Sequence, residues 1–97
     1  MEKDYLAERF CAQWQACAGT NPDQVWRRLH AHYQEPHRHY HTLAHIAHCL
    51  GQLDIAREHV AEFSATEMAI WFHDIIYHYG ARDNEILSVA YFRGLAD

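Results

Sequence analysis

Glycine and proline are scarce, 4 and 2 of 97 residues, so they read as punctuation between helices rather than as loop material. Cysteine is scarce as well: Cys11, Cys17 and Cys49 form no CxxC pair. An odd count without such a pair makes a poor disulfide framework and a poor zinc-finger pattern. Small buried thiols in a reducing cytoplasm are the expectation instead. No apolar stretch approaches the roughly 20 residues of a membrane span. The opening MEKDYLAERF lacks the apolar run of a secretory signal. Basic residues are few, 8 Lys and Arg against 13 Asp and Glu, for a formal charge of −5. That balance argues against a chain built to grip nucleic-acid backbone. No alternating strand pattern of useful length occurs, the nearest being Tyr77-His78-Tyr79, and no repeat or low-complexity segment is found.

What is present is a hydrophobic fraction of 49%, enough to exclude intrinsic disorder, and 10 histidines. The length suits one domain with a modest core, burying about two-thirds of the surface its unfolded chain exposes. Leu6, Phe10, Trp14 and Cys17 form one helical stripe, with Gly19 as its cap. Asn21-Pro22-Asp23-Gln24 opens a second helix carrying Val25, Trp26, Leu29 and Tyr33. A third is expected from about Pro36 into the mid-fifties, burying Leu43, Ile46, Ala47, Leu50 and Leu53. Ser64-Ala65-Thr66-Glu67 reads as a capping box for a fourth, which holds Met68, Trp71, Phe72, Ile75 and Ile76 and ends at Gly80. Asp83 caps a fifth with Ile86, Leu87, Ala90 and Tyr91, running to about Asp97. The expected fold is all-α, about five helices in one domain spanning residues 1–97.

His41, His45 and His48 lie four and three apart, a stripe within about 60° on the third helix. Such a stripe is either a solvated face or a set of metal ligands. His73-Asp74 sits inside the apolar run Ala69–Tyr77, where an imidazole and a carboxylate are costly unless paired or metal-bound. With His45 they form a nitrogen, nitrogen, oxygen set suited to a first-row divalent ion such as manganese, iron, cobalt or zinc. The alternative is a His–Asp hydrogen bond in a satisfied core.

Three segments carry a family resemblance: Tyr33–Ile46, with Tyr40-His41-Thr42-Leu43-Ala44-His45 inside it, Ala69–Tyr77 with His73-Asp74, and Asp83-Asn84-Glu85 followed by Ser88. The chain resembles the HD superfamily of metal-dependent phosphohydrolases, and more closely a small bacterial group within it. The resemblance implies an HD-like helical bundle with His45, His73 and Asp74 as ligands to a divalent ion, magnesium included. It also implies His41 as proton donor to a leaving oxygen, with Thr42 where related phosphodiesterases carry Asn. HD domains use a further aspartate on a later helix. No residue up to Asp97 matches it, so the resemblance implies a truncated domain that lacks its C-terminal helices and one ligand.

The expected chemistry is hydrolysis of a phosphate ester or anhydride, with a small phosphorylated substrate such as a nucleotide and no nucleic-acid or membrane partner. Arg38, about one turn before His41, is a candidate for pairing phosphate oxygens, the other reading being an exposed surface arginine. Asp83 and Glu85 are either water-positioning groups or a cap and a solvated face. Tyr77 is either a pocket wall or core. Two other functions compete: an inactive remnant that binds metal or nucleotide and self-associates into a homo-oligomer, and a histidine-rich metal buffer.

Overall fold

In the computed structural model the chain folds into five α-helices, with no strand among the described residues. The structure describes residues 2–36, 38, 42–77 and 82–96, the side chains of Glu2, Lys3 and Ala96 left aside. The helices are α1 (Glu2–Ala16), α2 (Pro22–Tyr33), α3 (Leu43–Ile55), α4 (Phe63–Phe72) and α5 (Asn84–Ala96). A 3-10 turn, Arg57–His59, links α3 to α4. The all-helical expectation holds.

α4 is the central element, packing against α1, α3 and α5. Its Trp71 and Phe72 meet Phe10 of α1 edge-on, at ring separations of 5.3 and 6.0 Å. Phe92 of α5 closes on Phe72 at 4.8 Å. Arrangements of this kind add to the area term, about 0.5–1.5 kcal/mol per aromatic pair. The stripe residues Leu6, Phe10 and Trp14 are buried, as are Val25, Leu29 and Tyr33 of α2.

One polar contact crosses this frame. Arg9 of α1 donates to both carboxylate oxygens of Asp54 at 2.8 and 2.9 Å and to both of Glu67 at 3.2 Å. It thereby ties α1 to α3 and α4. The bond to Asp54 raises the Arg9 pKa above its usual range against the opposing effect of burial, while Asp54 is lowered by the same bond. Glu67 is buried and also accepts from Trp71 Nε1 at 3.3 Å.

That contact corrects the expected capping box. α4 begins at Phe63 after Glu62, with no side-chain cap, and Glu67 faces Arg9 rather than the helix start. The third helix begins at Leu43, not near Pro36. α4 stops at Phe72, so Ile75 and Ile76 lie beyond it; Gly80 is outside the described residues. α5 is turned from the expected face. Ile86 and Leu87 are exposed, while Ser88 is buried and Tyr91, Phe92 and Leu95 pack on the core. Positions 88, 91, 92 and 95 are themselves a helical stripe, whose polar first member conceals it.

Cys17 is exposed, past the end of α1. There Gly19 N donates to Trp14 O at 2.8 Å and Ala18 N to Gln15 O at 3.0 Å, the two bonds of a Schellman motif. The left-handed residue is Ala18, at φ 65°, not Gly19. Gly19 answers a different demand, since a Cβ there would stand 2.4 Å from Trp14 Nε1. The two positions therefore respond oppositely to substitution. Ala18→Gly is expected to stabilise the fold by about 1 kcal/mol by removing the Cβ penalty of the left-handed region. Gly19→Ala is expected to cost about 1–3 kcal/mol by displacing the indole. Urea unfolding of the two variants measures both.

Candidate metal centre

Tyr33, at the end of α2, is fully buried and donates its hydroxyl to Trp71 O at 2.8 Å. Burial, reinforced by the negative charge of Asp74, raises its pKa, so it remains a neutral donor. The contact holds the last turn of α4. Phe72 is the last residue of α4; His73 caps it, with helical dihedrals and its N–H on Ala69 O at 2.8 Å, and a turn carries His73 into Asp74. Adjacent residues on a helix point about 100° apart. At this helix end the two side chains converge nonetheless, and His73 Nε2 stands 3.0 Å from Asp74 Oδ2.

From α3, His45 brings its ring to 6.2 Å from that of His73, centroid to centroid. One donor atom each from His45, His73 and Asp74 lies within 4.8 Å of the others. Neighbouring donors around an ion with bonds near 2.1 Å sit about 3–3.5 Å apart. Side-chain adjustments of about an ångström therefore close the set on one ion. Both histidines are exposed and Asp74 is partly buried, so the group is open to solvent on one side.

The proton inventory of His73 favours a cation. Its Nδ1 lies 2.8 Å from Ile70 O. A carbonyl only accepts, so Nδ1 carries the hydrogen. Nε2 is left facing a carboxylate, two lone-pair-bearing atoms that repel unless a proton or a metal ion stands between them. Without metal, the proton takes that place: the bond to Asp74 raises the His73 pKa above the ordinary histidine value, although burial opposes it. An imidazole whose outer N–H is fixed on a backbone carbonyl is the usual arrangement for a metal-ligating histidine.

Three side chains from different parts of the fold hold this turn. Tyr33 takes Trp71 O. Ser88 of α5, buried, accepts from Ile76 N at 3.0 Å and donates to Ile76 O at 3.3 Å. Arg38 donates to Asp74 O at 2.7 Å and to Ile75 O at 2.5 Å. Its Nε donates to Glu35 Oε1 at 2.9 Å, and its guanidinium carbon lies 4.9 Å from the Tyr33 ring centroid and 5.8 Å from that of Tyr77.

These contacts correct the expectation for Arg38. It is neither a surface residue nor a phosphate clamp, because its side chain is 0% exposed and its fork is turned onto the protein's own carbonyls. Isolated sequence cannot reveal this, since the acceptors are backbone atoms 36 and 37 residues away. His41 lies outside the described residues, as do His37, His39 and His78. His48 is exposed and does not join the cluster, and Asp83 and Glu85 are exposed and apart from it. Tyr77 is half-buried.

Two features escaped the sequence reading. Cys49 Sγ lies 3.6 Å from His45 Nε2, one turn along α3, and burial followed by the charge of Asp74 raises its pKa. The i, i+4 spacing from His45 was the available signal. His73 also forms part of the wall of an apolar cavity of about 500 Å³ between α1, α4 and α5, lined by Trp14, Met68, Phe72 and Phe92.

The fold and the cluster define a class: an all-helical protein with three convergent, metal-competent donors at its surface. No family model, no curated protein and no solved structure matches the chain.

Ion binding must displace the His73 proton, so metal and proton compete. Affinity is expected to fall as pH drops, starting above the usual histidine value of about 6.5 because the folded-state pKa is raised. Calorimetry in buffers of different ionisation enthalpy should show proton release that shrinks in His73→Ala. In the metal-free protein the signs reverse. The His73–Asp74 pair contributes stability that is present below the unfolded-state pKa and fades as pH rises through the folded one.

Proposed function

We propose that the chain binds a divalent metal ion through His45, His73 and Asp74 and hydrolyses a small phosphate ester or anhydride, a nucleotide among the candidates. The observation that carries the reading is the convergence of the three donors, with His73 Nε2 aimed at a carboxylate and its Nδ1 proton already committed. The resemblance to HD phosphohydrolases, carried by the sequence around His45 and His73-Asp74, supports it independently.

A divalent ion held there supplies Lewis acidity toward a phosphoryl oxygen and lowers the pKa of water toward neutrality. The remaining work belongs to the side chains. Asp74 contributes charge, offsetting part of the ion's own, and its backbone is anchored by Arg38. His73 is held in one orientation by Ile70 O. His45, exposed in the first turn of α3, completes the set from a second helix. Three protein ligands leave positions for water and substrate, the pattern of catalytic rather than structural sites. His41, four residues before His45, is the proposed proton donor to the leaving oxygen, a role suited to a histidine near its own pKa.

One observation favours a second reading, a metal-binding module that associates with itself. α5 exposes Ile86 and Val89, at 72% and 51%. That reading predicts metal binding without turnover.

The assay separates them. Chain loaded with manganese, cobalt or zinc is expected to hydrolyse members of a panel of nucleotides and phosphoesters. His73→Ala and Asp74→Ala should abolish this together with metal binding. His41→Ala should lower kcat by about a hundredfold or more while metal affinity stays unchanged. Turnover that survives Asp74→Ala excludes the site; metal binding with no turnover of any substrate selects the module.

A further inference from the structure

We infer that Arg38 is a positioning residue for the candidate metal centre: its grip on the carbonyls of Asp74 and Ile75 sets the affinity of the site for a divalent cation. The inference rests on the functional reading above, because it concerns the same three donors.

The last helical bond of α4 runs from His73 N to Ala69 O, and a further turn bond joins Ile75 N to Phe72 O; both fix N–H groups and leave the carbonyls of Asp74 and Ile75 to other partners. The anchors recorded for the Asp74 and Ile75 carbonyls come from Arg38. The Asp74 carbonyl carbon is three covalent bonds from that residue's own carboxyl carbon. A shift of the peptide therefore moves the ligand oxygen directly. Metal donors need placement within about 0.5 Å, and a rigid fork locked by its own surroundings meets that need.

Arg38 is locked in this way. Nε is taken by Glu35, the guanidinium lies over the rings of Tyr33 and Tyr77, and the side chain is 0% exposed. His73 has a separate tether, through Ile70 O, so Arg38 acts on the carboxylate half of the pair. Lysine cannot replace it in kind. A compact ammonium carries the charge but lacks two parallel donors for carbonyls on consecutive residues.

The test titrates cobalt into the metal-free chain by competition with a chromophoric chelator, reading the visible cobalt spectrum and helix content by circular dichroism. Arg38→Lys and Arg38→Met are expected to weaken cobalt binding about 10- to 100-fold, the usual effect of losing an outer partner of a ligand. The spectrum should change with it, because the carboxylate no longer meets the ion in one geometry. Arg9→Ala breaks a different ion-pair network, with Asp54 and Glu67, that includes none of the three donors, and is expected to lower thermal stability while leaving cobalt affinity and spectrum at the wild-type values. That control separates positioning from general destabilisation.

A folded Arg38→Lys or Arg38→Met chain with wild-type affinity and spectrum overturns the inference. If neither variant folds, Glu35→Ala provides the reading. It removes the Nε acceptor and leaves both carbonyl bonds in place, so a two- to fivefold loss of affinity is expected and an unchanged affinity overturns the inference. A wild-type chain that binds no cobalt overturns the functional reading and this inference together. Wild-type binding with unaffected variants overturns this inference alone.

Discussion

The guanidinium of Arg38, buried over the rings of Tyr33 and Tyr77, donates to the carbonyls of Asp74 and Ile75, and the candidate site depends on that contact. At the end of α4 the His73 N–H still bonds Ala69 O, but the carbonyls of the following turn have no helical donor to meet. A buried charge is costly to desolvate, and it is tolerated where its donors are met by good acceptors. Here the acceptors are the turn's carbonyls and Glu35. The same contact thus satisfies a buried cation and holds a polar turn in place. Ser88 of α5 continues this bracing one residue further along, at Ile76.

A second, partly buried arginine does different work. Arg9 joins α1, α3 and α4 through Asp54 and Glu67. The division is set by what each fork meets. Two carboxylates around Arg9 neutralise it and leave nothing for a ligand. Arg38 meets the backbone carbonyls of Asp74 and Ile75, while the Asp74 carboxylate meets His73.

Much of the frame was legible in the sequence because it follows from period alone. Leu6, Phe10 and Trp14 recur at helical spacing and are buried, and Leu43, Ile46, Leu50 and Leu53 do the same on α3. The misses share a cause. Ser64-Ala65-Thr66-Glu67 has capping-box chemistry, but Glu67 gains more from Arg9, which lies 58 residues away. α5 buries Ser88 in place of Ile86 because a backbone N–H and carbonyl at Ile76 need its hydroxyl. Local rules cannot weigh an offer made by a distant residue.

The same division runs through the site. Sequence by itself determined the helical class and pointed to the candidate donor residues, since hydrophobic period and the chemistry of imidazole and carboxylate are local properties. Tertiary structure alone decided that α4 ends at Phe72, that His73 and Asp74 converge with His45, and that Arg38 faces inward. Each of those outcomes depends on a hydrogen bond or a close approach between segments far apart in the chain, and such a partner exists only once the helices have packed.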